Sequence, residues 1–289
     1  MKRHHLLALF PILILACRFG ASVPTPTPLI GSPLPETGTA PLPSETIAVT
    51  PPEEGPVRPP EAILILEPGP NSQVVSPVHI AGMADPTFEQ NLVVTVTDES
   101  GAVIALEPTT IQAPSPERGP FEIDLAFSIT ADQPGRISVY DVSARDGGLV
   151  HLSSVEVTLL AGGAAVINPP PAAPETISIF GPVHLAEISG GAFTVSGFSE
   201  YFFESNLGVV VCGEGGSGAP DQLCGTADNV IASSFAIIAA PDIGLPGPFS
   251  GEIVYSIASS VQARIIVYAA TPRDGGLMHA SSRPVNLTP

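Results

Sequence analysis

The chain has 289 residues, of which 44% are hydrophobic, 28 are Gly and 34 are Pro; this excludes a wholly disordered polymer and is long for one ordinary domain. Formal charge is -18, and without the first sixteen residues, which hold Lys2 and Arg3, 8 Arg face 28 Asp and Glu, giving -20. A field of that sign repels phosphate backbones and anionic headgroups, so no nucleic acid and no polybasic membrane contact is expected, and partners should be neutral or basic.

Residues 1–16 read as an export signal: a basic start, then an apolar run from Leu6 to Ala16 broken by Pro11, well short of the ~20 residues that span a bilayer. Ile14-Leu15-Ala16-Cys17 resembles the lipobox of bacterial lipoproteins. The resemblance implies that Cys17 is acylated and that the protein is extracytoplasmic, held to the bacterial membrane or cell surface by its lipid alone. The alternative is an ordinary cleaved signal with an incidental cysteine. Residues 17–61 carry 12 prolines in 45 positions without hydrophobic periodicity and read as a disordered Pro/Thr-rich linker. In polyproline II, at ~3.1 Å per residue, such a linker reaches roughly 140 Å. Leu34-Pro35-Glu36-Thr37-Gly38 has the letters of a sortase signal, but it precedes the folding part of the chain and is read as a chance match.

An internal repeat follows. VHIAGMADPTFEQNLVVTV, ending at Val96, aligns without gaps to FTVSGFSEYFFESNLGVVV, ending at Val211, at an offset of 115. GPF at 119–121 matches 247–249, and RDGGLVHLSS at 145–154 matches RDGGLMHASS at 273–282, both at an offset of 128. The repeats are two copies of one domain, 62–159 and 176–287, joined by a Pro-rich segment over 160–175 and expected to fold alike and independently.

Each copy reads as strands. In FEIDLAFSI, Phe121, Ile123, Leu125, Phe127 and Ile129 alternate with polar positions, and Phe249, Ile253, Tyr255 and Ile257 keep the phase in the second copy. About seven short strands per copy, with turn residues between them and no amphipathic helix, predict an all-β chain of two tandem immunoglobulin-like sandwiches. Asp146-Gly147 and Asp274-Gly275 predict type I′ hairpin turns. Phe88 and Phe203 are expected in the core. The order of a Gly-ended strand, FExNL, a G-P-F strand and a DGG turn resembles the immunoglobulin-like domain of bacterial spore germination proteins, often found after a GerM-type domain. That resemblance implies an extracytoplasmic, non-catalytic module.

Candidate sites are few. Cys212 and Cys224 are an even pair in an exported chain and are expected to form a disulfide. His151 and His279, with no Cys, Asp or Glu at ligand spacing, read as solvent-facing strand histidines; no metal, cofactor or catalytic residue is predicted. Glu89, Asn91, Arg145 and Asp146, repeated as Glu204, Asn206, Arg273 and Asp274, read as structural positions whose charged groups bond backbone amides or pair with arginine. Tyr201 and Phe202 replace Pro86 and Thr87 and form either a partner-binding patch or a cover for the Gly-rich segment between the cysteines. The resulting expectation is a lipoprotein displaying two domains that bind an envelope protein or glycan, with a structural spacer or a germination-associated envelope protein as the alternative.

Overall fold

The computed structural model describes residues 57–170 and 174–289. The expected export signal, Cys17, the LPETG segment and the expected linker up to residue 56 lie outside the described residues. Within them the chain is all-β, and no helix is long and apolar enough to cross a membrane.

The first copy runs β1 (Ile63–Glu67), β2 (Gln73–Val74), β3 (Val78–Ala84), β4 (Asn91–Thr97), β5 (Val103–Thr110), β6 (Gly119–Leu125), β7 (Gln133–Val142) and β8 (Leu149–Leu159). One sheet orders β1-β3-β6 and the facing sheet orders β5-β4-β7-β8, the two-layer arrangement of an immunoglobulin-like sandwich. The short β2 pairs in parallel with β8, tying the first strand's continuation to the opposite sheet. The predicted alternation in β6 holds: Phe121 and Leu125 are buried, Glu122 and Asp124 are exposed. These side chains meet Leu92, Val94, Val96, Ile137 and Val139 in one core.

The second copy repeats the plan with an insertion: β9 (Ile177–Gly181), β10 (Ala186–Ile188), β11 (Ala192–Ser199), β12 (Asn206–Cys212), β13 (Pro220–Asp221), β14 (Gly225–Thr226), β15 (Val230–Ile238), β16 (Gly247–Val254), β17 (Val261–Ala270) and β18 (Leu277–Leu287). Cys212 and Cys224 are bonded, with Cα atoms 5.2 Å apart, and close the small β13–β14 excursion. Gly82 and Gly197 show why each copy keeps a glycine here. A Cβ would stand 2.5 Å from the ring of Phe121 or Phe249, so any side chain would evict the core phenylalanine.

The two copies are not separate bodies. β8 and β18 pair antiparallel, with Leu152 opposite Ala280. Those two residues hold the same place in the repeat, so a pseudo-two-fold axis passes between them and the sheets join into one continuous sheet, β5-β4-β7-β8-β18-β17-β12-β15, which runs on through β16-β11-β9. Because side chains alternate along a strand, this seam has two faces. On one, Leu152, Ala280, Leu149, Leu277, Val210, Ile266 and the Cys212–Cys224 bond form a third apolar core that draws on both copies. The joining segment is docked as well: Val166 and Gln73 exchange backbone bonds, and Asn168 N–H donates to Ser72 Oγ at 2.9 Å. The two copies, expected as separate units, share a core.

Several local expectations also change. The hairpins at Asp146-Gly147 and Asp274-Gly275 are not two-residue turns: only the glycines have positive φ (71° and 73°), and the loops span 143–148 and 271–276. They close by bonds from Gly147 N–H to Ser143 O and from Gly275 N–H to Thr271 O. Phe88 and Phe203 are exposed rather than core, because the backbone turns left-handed at Glu89 (φ 55°) and Glu204 (φ 56°) and leaves Leu92 and Leu207 to enter the interior. Glu89 and Glu204 are themselves exposed in these turns, as are Asn91 and Asn206.

Candidate functional site at the seam

The DGG loop supplies the first component of the seam, and each of its residues has a distinct task. Asp274 accepts two bonds from Arg136 of the other copy, at 2.7 and 2.9 Å, and caps its own loop through Gly276 N–H at 2.7 Å. The mirror pair is Arg264 with Asp146 at 2.8 Å, again crossing between copies, with Gly148 N–H on the same aspartate at 2.9 Å. Gly147 and Gly275 provide the left-handed backbone. Gly148 and Gly276 make room, since a Cβ would lie 2.5 Å from Arg264 Nη2 or 2.7 Å from Arg136 Nη1. Burial opposes ionisation of Asp146 and Asp274, but Arg264 and Gly148, and Gly276 and Arg136 respectively, more than offset it and hold both carboxyls below the ordinary range. Arg145 and Arg273 stay near the surface, where Arg273 bonds Glu156 and Arg145 bonds Gln262.

The opposite face of the seam carries four buried ionisable side chains. His151 and His279, expected in solvent, are only 8% and 4% exposed. They meet Glu61 and Glu175, which stand just ahead of β1 and β9 and are 5% and 6% exposed. His151 Nε2 lies 2.9 Å from Glu61 Oε1, and His279 Nε2 lies 3.2 Å from Glu175 Oε1. The crossed distances, His151 to Glu175 and His279 to Glu61, are both 3.8 Å. Ser153 Oγ donates to Glu61 Oε1 and Ser281 Oγ to Glu175 Oε1. The second carboxylate oxygens reach across the axis: Thr176 N–H donates to Glu61 Oε2 at 2.8 Å, and Ala62 N–H to Glu175 Oε2 at 2.9 Å. Pro60 and Pro174, again equivalent positions, bridge antiparallel on the same axis. Residues 57–61 are thus not free linker.

Burial works against the Glu61 carboxylate, yet the charge of His279 and the His151 hydrogen bond outweigh it and bring its pKa down to about 2. Glu175 is lowered by the same balance, with His151 the largest opposing charge. For His151 burial favours the neutral ring, but Glu175 and Glu61 win and raise its pKa. The sequence did hold a signal for this cluster: Pro-Glu-x-Ile occurs at 60–63 and 174–177, and His-x-Ser-Ser ends the repeated stretch at 145–154 and 273–282.

On either side of the cluster lies a cleft, and the pseudo-two-fold axis exchanges the two. One, of about 440 Å³, is lined by Ile63, Asp141, His151, Glu175, Ile177, Ile179 and Arg283 and is bordered by Pro86 and Thr87. Its counterpart, of about 160 Å³, is lined by Glu61, Ile65, Ser153, Met278 and His279 and by Phe202. Phe202 and Thr87 are equivalent positions, so the phenylalanine fills in the second cleft what threonine leaves open in the first. Of the two aromatics read as either a partner-binding patch or a cover for the Gly-rich segment, Phe202 is a core residue at 9% exposure and only Tyr201 is exposed, so the two do not form one exposed pair. In the open cleft burial pushes Asp141 up to about 6, while Arg283 donates to Ile179 O and has no carboxylate partner among the described residues.

Residues 62–148 match the family model of the immunoglobulin-like domain of bacterial spore germination. This places a typically non-catalytic, envelope-associated structural or germination-related domain in the first copy. Two solved structures are similar at low identity. Dimeric latent PorU from Porphyromonas gingivalis matches at 11% identity and a TM-score of 0.22, over 79% of this chain and 24% of that one. The titin domains Z1Z2 in complex with telethonin match at 12% identity and a TM-score of 0.18, over 79% and 96%. The chain therefore spans about a quarter of the length of the PorU chain, and at these TM-scores neither likeness bears on function. No curated protein matches the sequence.

Proposed function

We propose that this is a non-catalytic extracytoplasmic lipoprotein, tethered through Cys17, whose paired immunoglobulin-like domains present one open cleft at their seam to an envelope protein or glycan. The observation that carries the reading is the broken symmetry of the two clefts: about 440 Å³ stand open where Thr87 replaces the phenylalanine that fills the other. An apolar wall with a few convergent polar groups is the ordinary make-up of a recognition site. Here Ile63, Ile177 and Ile179 supply the wall. Asp141, whose pKa lies near 6, supplies a carboxyl that is protonated in part near neutrality, and the acidic surroundings favour a neutral or basic ligand. The continuous sheet that joins the two copies supports a second reading, a rigid spacer that binds nothing of its own.

The discriminating experiment is Thr87→Phe, which copies the second cleft's plug into the first. Crosslinking in cells followed by affinity purification should recover a partner with the unaltered protein and lose it with the variant. Equal recovery by both would remove the cleft reading, and no partner with either would leave the spacer.

A further inference from the structure

The four-residue cluster on the pseudo-two-fold axis has the chemistry of a metal centre, independently of what the cleft binds. The ligand atoms of Glu61, His151, Glu175 and His279 all lie within 4.8 Å of one another. Around a tetrahedral ion with bonds of ~2.0–2.1 Å, donor atoms stand roughly 3.3 Å apart. The four histidine-to-glutamate separations, 2.9, 3.2, 3.8 and 3.8 Å, bracket that value. Two imidazoles with two carboxylates suit zinc and its first-row neighbours, whereas calcium wants six to eight oxygens.

Charge points the same way. Two ionised carboxylates are neutralised by one divalent ion with both imidazoles neutral. Without the ion, neutrality needs two imidazolium rings side by side at a centroid distance of 5.1 Å, where like charges repel. The outer contacts already exist: a serine on each Oε1, and on each Oε2 a backbone N–H of the opposite copy, which fix both carboxylates as second-layer bonds do in metal sites. Entry has a path as well, because the large cleft borders His151 and Glu175 and the small one Glu61 and His279.

We propose that Glu61, His151, Glu175 and His279 bind one divalent transition-metal ion of the zinc class, a site that neither copy forms alone and that bonds the two domains together.

The test uses the purified protein, stripped with EDTA at pH 7.5 and titrated with ZnCl2 or CoCl2. One ion per chain is expected, with the intense 500–650 nm absorption of tetrahedral Co2+. A Zn2+ concentration ~100-fold above Kd should raise the melting temperature by about 5–10 °C. His151→Gln with His279→Gln should abolish all three signals while far-UV circular dichroism stays β-rich. Should that double variant not fold, long-range 1H–15N spectra of the unaltered protein decide: zinc must shift the Nε2 resonances of two histidines together. No bound ion, binding that persists in the double variant, or a shift confined to an exposed histidine such as His79 would overturn the site.

Discussion

Asp274→Ala tests the swapped ion pairs most severely. Asp274 and Arg136 have side chains only 1% and 3% exposed, and they come from different copies. Removing the carboxylate leaves the guanidinium with Leu277 O at 3.0 Å and Glu156 Oε1 at 3.4 Å, the latter on a side chain one-third exposed. A buried charge stripped of its main partner costs about 3–5 kcal/mol. At 2–4 °C per kcal/mol for a unit of roughly 230 residues, melting should fall by about 10 °C. Arg136→Met should cost less, because Asp274 keeps Gly276 N–H and Arg273. The double variant should recover part of the loss, with a coupling of about 2 kcal/mol in a double-mutant cycle read by urea unfolding. Effects that add to within ~0.5 kcal/mol would refute the claim that these residues sense one another across the seam.

Three further outcomes follow from the same contacts. Phe202→Thr should open the second cleft to match the first and lower stability by about 2–4 kcal/mol in chemical denaturation, since a buried ring is lost. Replacing both Cys212 and Cys224 by Ser should cost about 3 kcal/mol, and because that bond lies in the shared core, hydrogen exchange should quicken at Leu149 and Leu152 in the first copy as well as around the excursion. Acid should weaken the protein through Asp146 and Asp274. Their folded pKa values lie below the ordinary 3.8, so their stabilisation is complete above that value and is lost as pH falls through the folded pKa. Asp146→Asn with Asp274→Asn should flatten the melting curve against pH below 4, while a limb of unchanged steepness would assign acid unfolding to other groups.

The core strands were legible because one face is buried and the other wet: Phe121, Leu125, Phe249 and Ile253 declare themselves by period two. The disulfide was legible from an even cysteine pair in a chain whose start reads as an export signal. The seam was not, because its strands are covered on both sides. His151, Leu152 and Ser153 are consecutive and all buried, which breaks the alternation a half-buried strand shows, and a histidine there looks like a surface residue. Glu61 and Glu175 sit among prolines, where composition says linker, and their partners are 90 and 104 residues away. Phe202 misled for a related reason. The repeat aligns Phe203 with Phe88 and leaves Phe202 without an apolar counterpart, whereas the left-handed turn at Glu204 puts Phe203 outside and Phe202 within. Asp146 and Asp274 were legible as groups that bond backbone amides or pair with arginine, but nothing in the repeated DGG says that the arginine comes from the other copy or that the second glycine is there to admit it.

The central claim is that two repeated domains act as one body around a pseudo-two-fold seam. Differential scanning calorimetry of the purified protein tests it most directly. A shared core and swapped buried ion pairs predict a single transition whose calorimetric and van't Hoff enthalpies agree, shifted as a whole to lower temperature by Asp274→Ala. Two resolved transitions, only one of them moved by that substitution, would contradict it.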